Sequence, residues 1–225
     1  VAAASYAARA FGCHSAMPMG QALRLCPQAI VLPTRHKLYS EYSKRVMDLL
    51  AQESPLVQQV SIDEAYVDFT AGTETTAGAE ALAHRIQGRV LVDLGLPCSI
   101  GLASNKMVAK VACESGKPSG FVVVEPGDEA AFLAPLEVSA LPGIGPRSAE
   151  RLRSAGLRTL GQVVANSVAT LISILGPWGA VLQRHAAGED DSPLTTEREA
   201  KSISSEETFA TDVDDAERLH AELER

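Results

Sequence analysis

"VSIDEAYVDFTAG", residues 60–72, sets two carboxylates, Asp63 and Glu64, side by side at the head of a run rich in β-branched and aromatic residues. Neighbours in a regular strand point to opposite faces, so adjacent acids share one site only where the strand bends or begins. Two readings are open at this point. The acids are a solvated hairpin tip, or they face a cation such as Mg²⁺, which takes carboxylate and phosphate oxygens.

Outward from this stretch, "LVQQVSIDEAYVDFT" after Pro55 reads as strand, folded into a hairpin. Before it, "HKLYSEYSKRVMDLLAQES" spaces Leu38, Tyr39, Tyr42, Val46, Leu49 and Leu50 as an amphipathic helix, and "SAMPMGQALRLCP" is a short helix stopped by Pro27. After it, "GAEALAHRIQGRVLVDLG" is a second amphipathic helix closed by Gly95. "LPCSIGLAS" is a buried strand, "NKMVAKVACES" a helix starting after Ser104, and "GFVVVEPG" another strand. Strands interleaved with helices give an α/β or α+β layered domain to about Pro126. From Asp128 to Ala187 no strand pattern appears, only short helices punctuated by glycines. "DSPLTTEREA" reads as a linker, and "KSISSEETFA", residues 201–210, alternates like the first strand of a further unit. The chain opens on Val1 in an apolar run and ends inside a helical pattern, so both ends read as cut and a fragment is expected.

The 225 residues suit one large domain or a few small ones. No apolar run reaches the roughly 20 residues a membrane-spanning helix needs, so no membrane association is expected. Cys13, Cys26, Cys98 and Cys113 are scattered without a C-x-x-C pair, which points to reduced core thiols of a cytosolic protein. The five histidines have no metal-ligand spacing, which argues against zinc. Net charge is −8, yet residues 187–225 hold 13 acids and four bases, leaving the preceding 186 residues near neutrality. A polyanionic partner is therefore not excluded, because local basic clusters decide such contacts.

The most specific local signal is "LPGIGPRSAERLRSAGL", residues 141–157. It matches a helix-hairpin-helix: Gly143, Ile144 and Gly145 form a tight turn whose free N–H groups open the next helix and can hold a nucleic-acid phosphate without reading sequence. Arg147, Arg151, Arg153 and Arg158 concentrate positive charge around it; the bland alternative is a glycine-capped corner with a solvated face. Trp178, in "LGPWGA", reads as packing. Tyr6 and Arg9 are three apart, which puts both on one helical face. Lys106 and Lys110, four apart, read as a wet helix face, whereas Lys117 in the "GKPSG" turn can point an ammonium at a phosphate.

Taken in order, "SYAARAFG", "SAMPMGQALRLCP", "VSIDEAYVDFT", "SIGLASNKMVAK", "GKPSGF" and "LPGIGPRSAERL" resemble the Y-family translesion DNA polymerases, most nearly their bacterial branch, across almost the whole chain. The resemblance implies an α+β right-hand polymerase palm and fingers with an all-helical helix-hairpin-helix thumb. It divides the chain into fingers over about 1–35, palm over about 36–126, thumb over 127–187, a linker over 188–200, and the start of a little-finger domain from 201. It implies DNA synthesis from dNTPs on a primer-template, error-prone and tolerant of lesions, with two Mg²⁺ ions. Asp63 and Glu64 become the catalytic, metal-holding carboxylates. Tyr6, Arg9 and Lys117 contact the nucleotide triphosphate, Ser5 and Ala16 line an open fingers surface, and Gly143, Ile144, Gly145 and Arg147 grip duplex DNA. A cytoplasmic monomer that meets a sliding clamp through a C-terminal region is also implied.

The chain departs from the family pattern at Ala2 to Ala4, where a hydroxyl residue is frequent, at Ala7, where Glu is usual, and at Gly116, where Ala is usual. The family's remaining metal-binding Asp and its sugar gate lie in a strand upstream of Val1, so the chain alone is expected not to polymerise. Two rivals stand beside this reading. A non-catalytic DNA-binding scaffold of the damage response shares the hairpin, and a palm-fold nucleotidyl cyclase shares the metal chemistry but has no use for the "LPGIG" turn.

Overall fold

The computed structural model describes residues 1–73, 75–196, 202–204, 206, 208–209 and 211–224. The strand expected over 201–210 includes positions that lie outside the described residues.

The N-terminal segment is two short helices, α1 (Tyr6–Arg9) and α2 (Met19–Leu25), around a small core of Cys13, Met17, Ala22 and Cys26. Ser5 caps α1 by accepting the Ala8 N–H at 3.2 Å. α2 ends at Leu25, with Cys26 as its C-terminal cap before the proline that cannot continue it.

Next come α3 (His36–Glu53) and a hairpin of β1 (Val57–Gln59) and β2 (Ala65–Val67), antiparallel with Gln58 opposite Tyr66. α4 (Thr76–Leu94) follows, capped by the Thr75 hydroxyl and closed by Gly95 at φ 68°, the left-handed C-terminal cap expected from the sequence. β3 (Ile100–Leu102), α5 (Lys106–Ser115) and β4 (Phe121–Val123) form a β-α-β unit in which the two strands are parallel. The strands therefore pair as two separate two-stranded sheets among the described residues. Leu49, Leu50, Leu82, Ile86 and Val90 of α3 and α4 pack against both sheets. α5 lies so close to β3 that a Cβ on Gly101 would stand 2.1 Å from the Ala109 carbonyl oxygen.

From α6 (Glu129–Leu133) onward the described elements are helical: α7 (Pro146–Ser154), α8 (Leu160–Val164), α9 (Val168–Leu175) and α10 (Trp178–Ala186). Their core is Leu133, Leu141, Leu152, Leu160, Leu171 and Leu182, each less than 2% exposed. That core continues without a break into Met107, Val108, Val111 and Ala112 of α5. One face of α5 thus belongs to the helical module and the other to β3. A last helix, α11 (Ala216–Leu223), is capped by Asp215 and buries none of its residues.

All four cysteines are free thiols. Only Cys13 and Cys26 are core residues; Cys98 and Cys113 are half-buried, which corrects the expectation for that pair. Burial pushes the thiol pKa of both upward. No helix among the described residues is long and apolar enough to cross a membrane.

Candidate active site and nucleic-acid interface

The hairpin tip accounts for the adjacent acids. The N–H groups of Val60 and Ser61 both donate to the Glu64 carbonyl, at 2.9 and 3.2 Å, closing a turn over 61–63 just before β2 begins. Asp63 sits in that turn and Glu64 at its exit, so strict strand alternation does not separate them. The Ser61 hydroxyl donates to Asp63 Oδ1 at 2.7 Å and fixes that side chain.

α5 brings positive charge to the tip. Lys110 Nζ is ion-paired with Glu64 and also reaches Glu114 Oε1 at 2.9 Å. Lys117 Nζ reaches the same Glu114 oxygen at 2.7 Å. Burial works against the Lys110 ammonium, but its hydrogen bonds to Glu64 and Glu114 outweigh that and hold its pKa well above the ordinary lysine value. Burial likewise pushes the Glu114 carboxyl up, and the two lysines override it, so the net shift is downward. The expectation that Lys110 is a wet face is wrong: α5 presents it to the hairpin. Lys106 is also engaged, donating to the Pro193 carbonyl at 2.7 Å and to Gln58 Oε1 at 3.3 Å, with its ammonium 5.8 Å from the Tyr66 ring.

Asp63, Glu64, Tyr6, Lys110 and Lys117 line one cavity of about 620 Å³, whose floor is apolar surface of β2, β3 and α4. Among the described residues, Asp63 meets no cationic side chain. Arg9 does not line the cavity; it lies against Tyr6, 5.9 Å from the ring centroid, with Nε donating to the Ala4 carbonyl. The structure therefore joins four of the five sequence-derived residues on one cavity and places Arg9 next to one of them. Lys110 is the functional candidate that the sequence reading missed. Its signal was the helical spacing of Lys110, Glu114 and Lys117, which marks one charged face without saying what that face meets.

The glycine turn also takes its expected shape. Gly143 adopts φ 92°, Ile144 is buried, and Gly145 is the extended N-cap of α7 with Pro146 at the first helical position. Ala149 makes the first intrahelical bond, to the Gly145 carbonyl, so the N–H groups of Arg147 and Ser148 precede it at a helix start. Arg147, Arg151 and Arg158 are exposed. Arg153 is not part of that free set, since it pairs with Glu137 at 3.0 Å. The Trp178 ring packs under the turn, 3.3 Å from where a Gly143 Cβ would stand.

No cluster of three or more His, Cys, Asp or Glu suited to a metal occurs among the described residues. Asp63 and Glu64 nonetheless fit a Mg²⁺ ion shared with a substrate, because such ions are held by one or two carboxylates and complete their shell with phosphates and water.

A carboxylate-bearing hairpin beside a β-α-β unit, a small helical segment in front and a helix-hairpin-helix module behind make up the palm, fingers and thumb architecture of the Y-family polymerases. The chain belongs to the impB/mucB/samB family, whose model matches residues 1–114, and the helix-hairpin-helix motif of the same family matches residues 126–157. DNA polymerase IV of Dehalococcoides mccartyi is 45% identical over 224 residues, covering 99% of this chain and 57% of the relative. DNA polymerase IV of Streptomyces coelicolor is 45% identical over 231 residues, covering 100% and 48%. Among solved structures, DinB from Sulfolobus solfataricus superposes with a TM-score of 0.82 at 31% identity, covering 87% of this chain and 58% of that one. An insertion ternary complex of Dbh DNA polymerase gives 0.80 at 33%, covering 86% and 57%. The chain spans about half the length of the curated relatives it matches.

Proposed function

We propose that the protein of which this chain forms the described part is a template-directed DNA polymerase that adds dNTPs to a primer 3′-OH and tolerates damaged templates. The observation that carries this is the joining of Asp63, Glu64, Tyr6 and Lys117 on one cavity, from three separate stretches of sequence. In this reading Asp63 and Glu64 hold Mg²⁺, which when bound stabilises charge on the attacking and leaving oxygens of phosphoryl transfer. Tyr6, with Arg9 against it, and Lys117 orient the triphosphate at the mouth of the cavity. The apolar floor limits water around the reacting groups. Gly143 to Arg147 hold the duplex backbone through N–H groups and the exposed arginines, which leaves sequence unread.

The division into fingers over 1–35, palm over 36–126, thumb over 127–187, linker over 188–200 and little finger from 201 belongs to the same reading. Family resemblance supports it, as it supports a second Mg²⁺ ion held with a carboxylate upstream of Val1, a sliding-clamp contact, a monomeric state and a cytoplasmic location. Primer extension by the intact protein provides the test. Asp63→Asn and Glu64→Gln should each lower the single-turnover rate by about 10²–10³ while duplex affinity is kept. Extension unaltered in both variants sinks the reading.

A further inference from the structure

Glu64 and Asp63 are neighbours with different electrostatic surroundings. Glu64, 40% exposed in its side chain, is matched by the ammonium of Lys110, itself 27% exposed. Asp63, one residue earlier, has a hydroxyl partner and no cation among the described residues. A divalent ion shared by the two acids would meet the Lys110 ammonium at Glu64 and compete with it for that carboxylate, because a double charge repels a neighbouring ammonium more strongly than a second ammonium does. Lys110 has somewhere to go. It already touches Glu114 Oε1 at 2.9 Å, an oxygen it shares with Lys117 at 2.7 Å. Leaving Glu64 thus does not strand a bare, partly buried ammonium, which would be costly.

We propose that Lys110 is a resident counter-ion of Glu64: it neutralises the carboxylate in the cation-free protein, cedes it to an arriving divalent ion, and withdraws onto Glu114. It acts through Glu64 as a positioning residue. The inference rests on Asp63 and Glu64 holding Mg²⁺, as set out above.

Mn²⁺, used as a paramagnetic stand-in, is titrated into the intact protein without DNA or nucleotide, and the free ion is read by electron paramagnetic resonance. Asp63→Asn locates the site by abolishing binding. Lys110→Met tightens Mn²⁺ by about fivefold or more, the effect of removing one partly screened charge at this range. Lys110→Arg, which keeps the charge, retains wild-type affinity. Glu114→Gln weakens binding in the wild-type background and changes nothing beside Lys110→Met, because the tether acts only through the lysine. Thermal melts check folding, and Lys110→Gln repeats the comparison should the methionine variant not fold. Unchanged or weaker affinity in Lys110→Met and Lys110→Gln, with binding still lost in Asp63→Asn, overturns the counter-ion role alone. Equal weakening by Glu114→Gln in both backgrounds overturns the tether. Mn²⁺ binding indifferent to Asp63→Asn overturns the metal reading beneath both.

Discussion

Gly143 is held at φ 92°, where L side chains are strained, with the Trp178 ring directly below it. Gly143→Ala is expected to lose about 1–2 kcal/mol from the left-handed backbone alone. The turn should also open, weakening duplex affinity to a similar extent for unrelated DNA sequences. Urea melts and fluorescence-anisotropy titrations on two random duplexes check both, and a loss confined to one duplex contradicts backbone-only contact. At this scale much of the site was legible beforehand. The pair Asp63 and Glu64 drew notice by adjacency alone, with a solvated tip and a cation site both left open, and the "PGIGP" turn by its glycine and proline spacing. Lys110 did not, because its partner Glu64 lies 46 residues away and only the packing of α5 on the hairpin brings them together.

The α3–α4 pair shows how elements are joined by a few charges as well as by the leucines between them. Glu53, at the end of α3, has a side chain only 10% exposed and accepts from Arg85 at 2.6 Å and from Arg89 at 2.8 Å, one turn apart on α4. Hydrogen bonds from the two guanidiniums hold its pKa below the ordinary carboxyl value of 4.5. A depressed carboxylate stabilises the fold above its unfolded value and loses that contribution as pH falls through the folded one. Glu53→Gln should therefore lower stability by about 1 kcal/mol at pH 7, discounted for the exposed Arg85. The gap between variant and wild type should shrink once pH drops below about 4.5. Melts across that range decide it, and a gap constant with pH removes the ionic contribution. Helix spans were readable because 3.6-residue periodicity is local. The parallel partnership of β3 with β4 was not, since strands of three residues carry too little pattern to name a neighbour across a whole helix.

Over the whole molecule, the N-terminus of α5 is the joint. Asn105 caps the helix by accepting the Val108 N–H at 2.9 Å, and its amide donates to the Gly188 carbonyl at 2.8 Å. Lys106 holds Pro193, and the Thr195 N–H donates to Gln58 Oε1, so the segment after α10 is laid along β1. Asn105→Asp keeps the cap and loses the donor, whereas Asn105→Ala loses both. Hydrogen exchange over 188–196 should quicken in each, while only the alanine variant should lose about 1 kcal/mol of global stability. Equal protection in the aspartate variant would show that the amide bond does not restrain the segment. The continuous core from α5 into α10 could not be read in advance either, because the α5 sequence marks an apolar face without naming the layer that covers it.

Trp178 is the chain's single tryptophan, and it lies under the glycine turn. Selectively excited indole emission thus comes from the helical module alone, leaving the rest spectroscopically silent. The molecule carries its own optical probe at the point where a duplex is expected to rest, and no dye need be attached there.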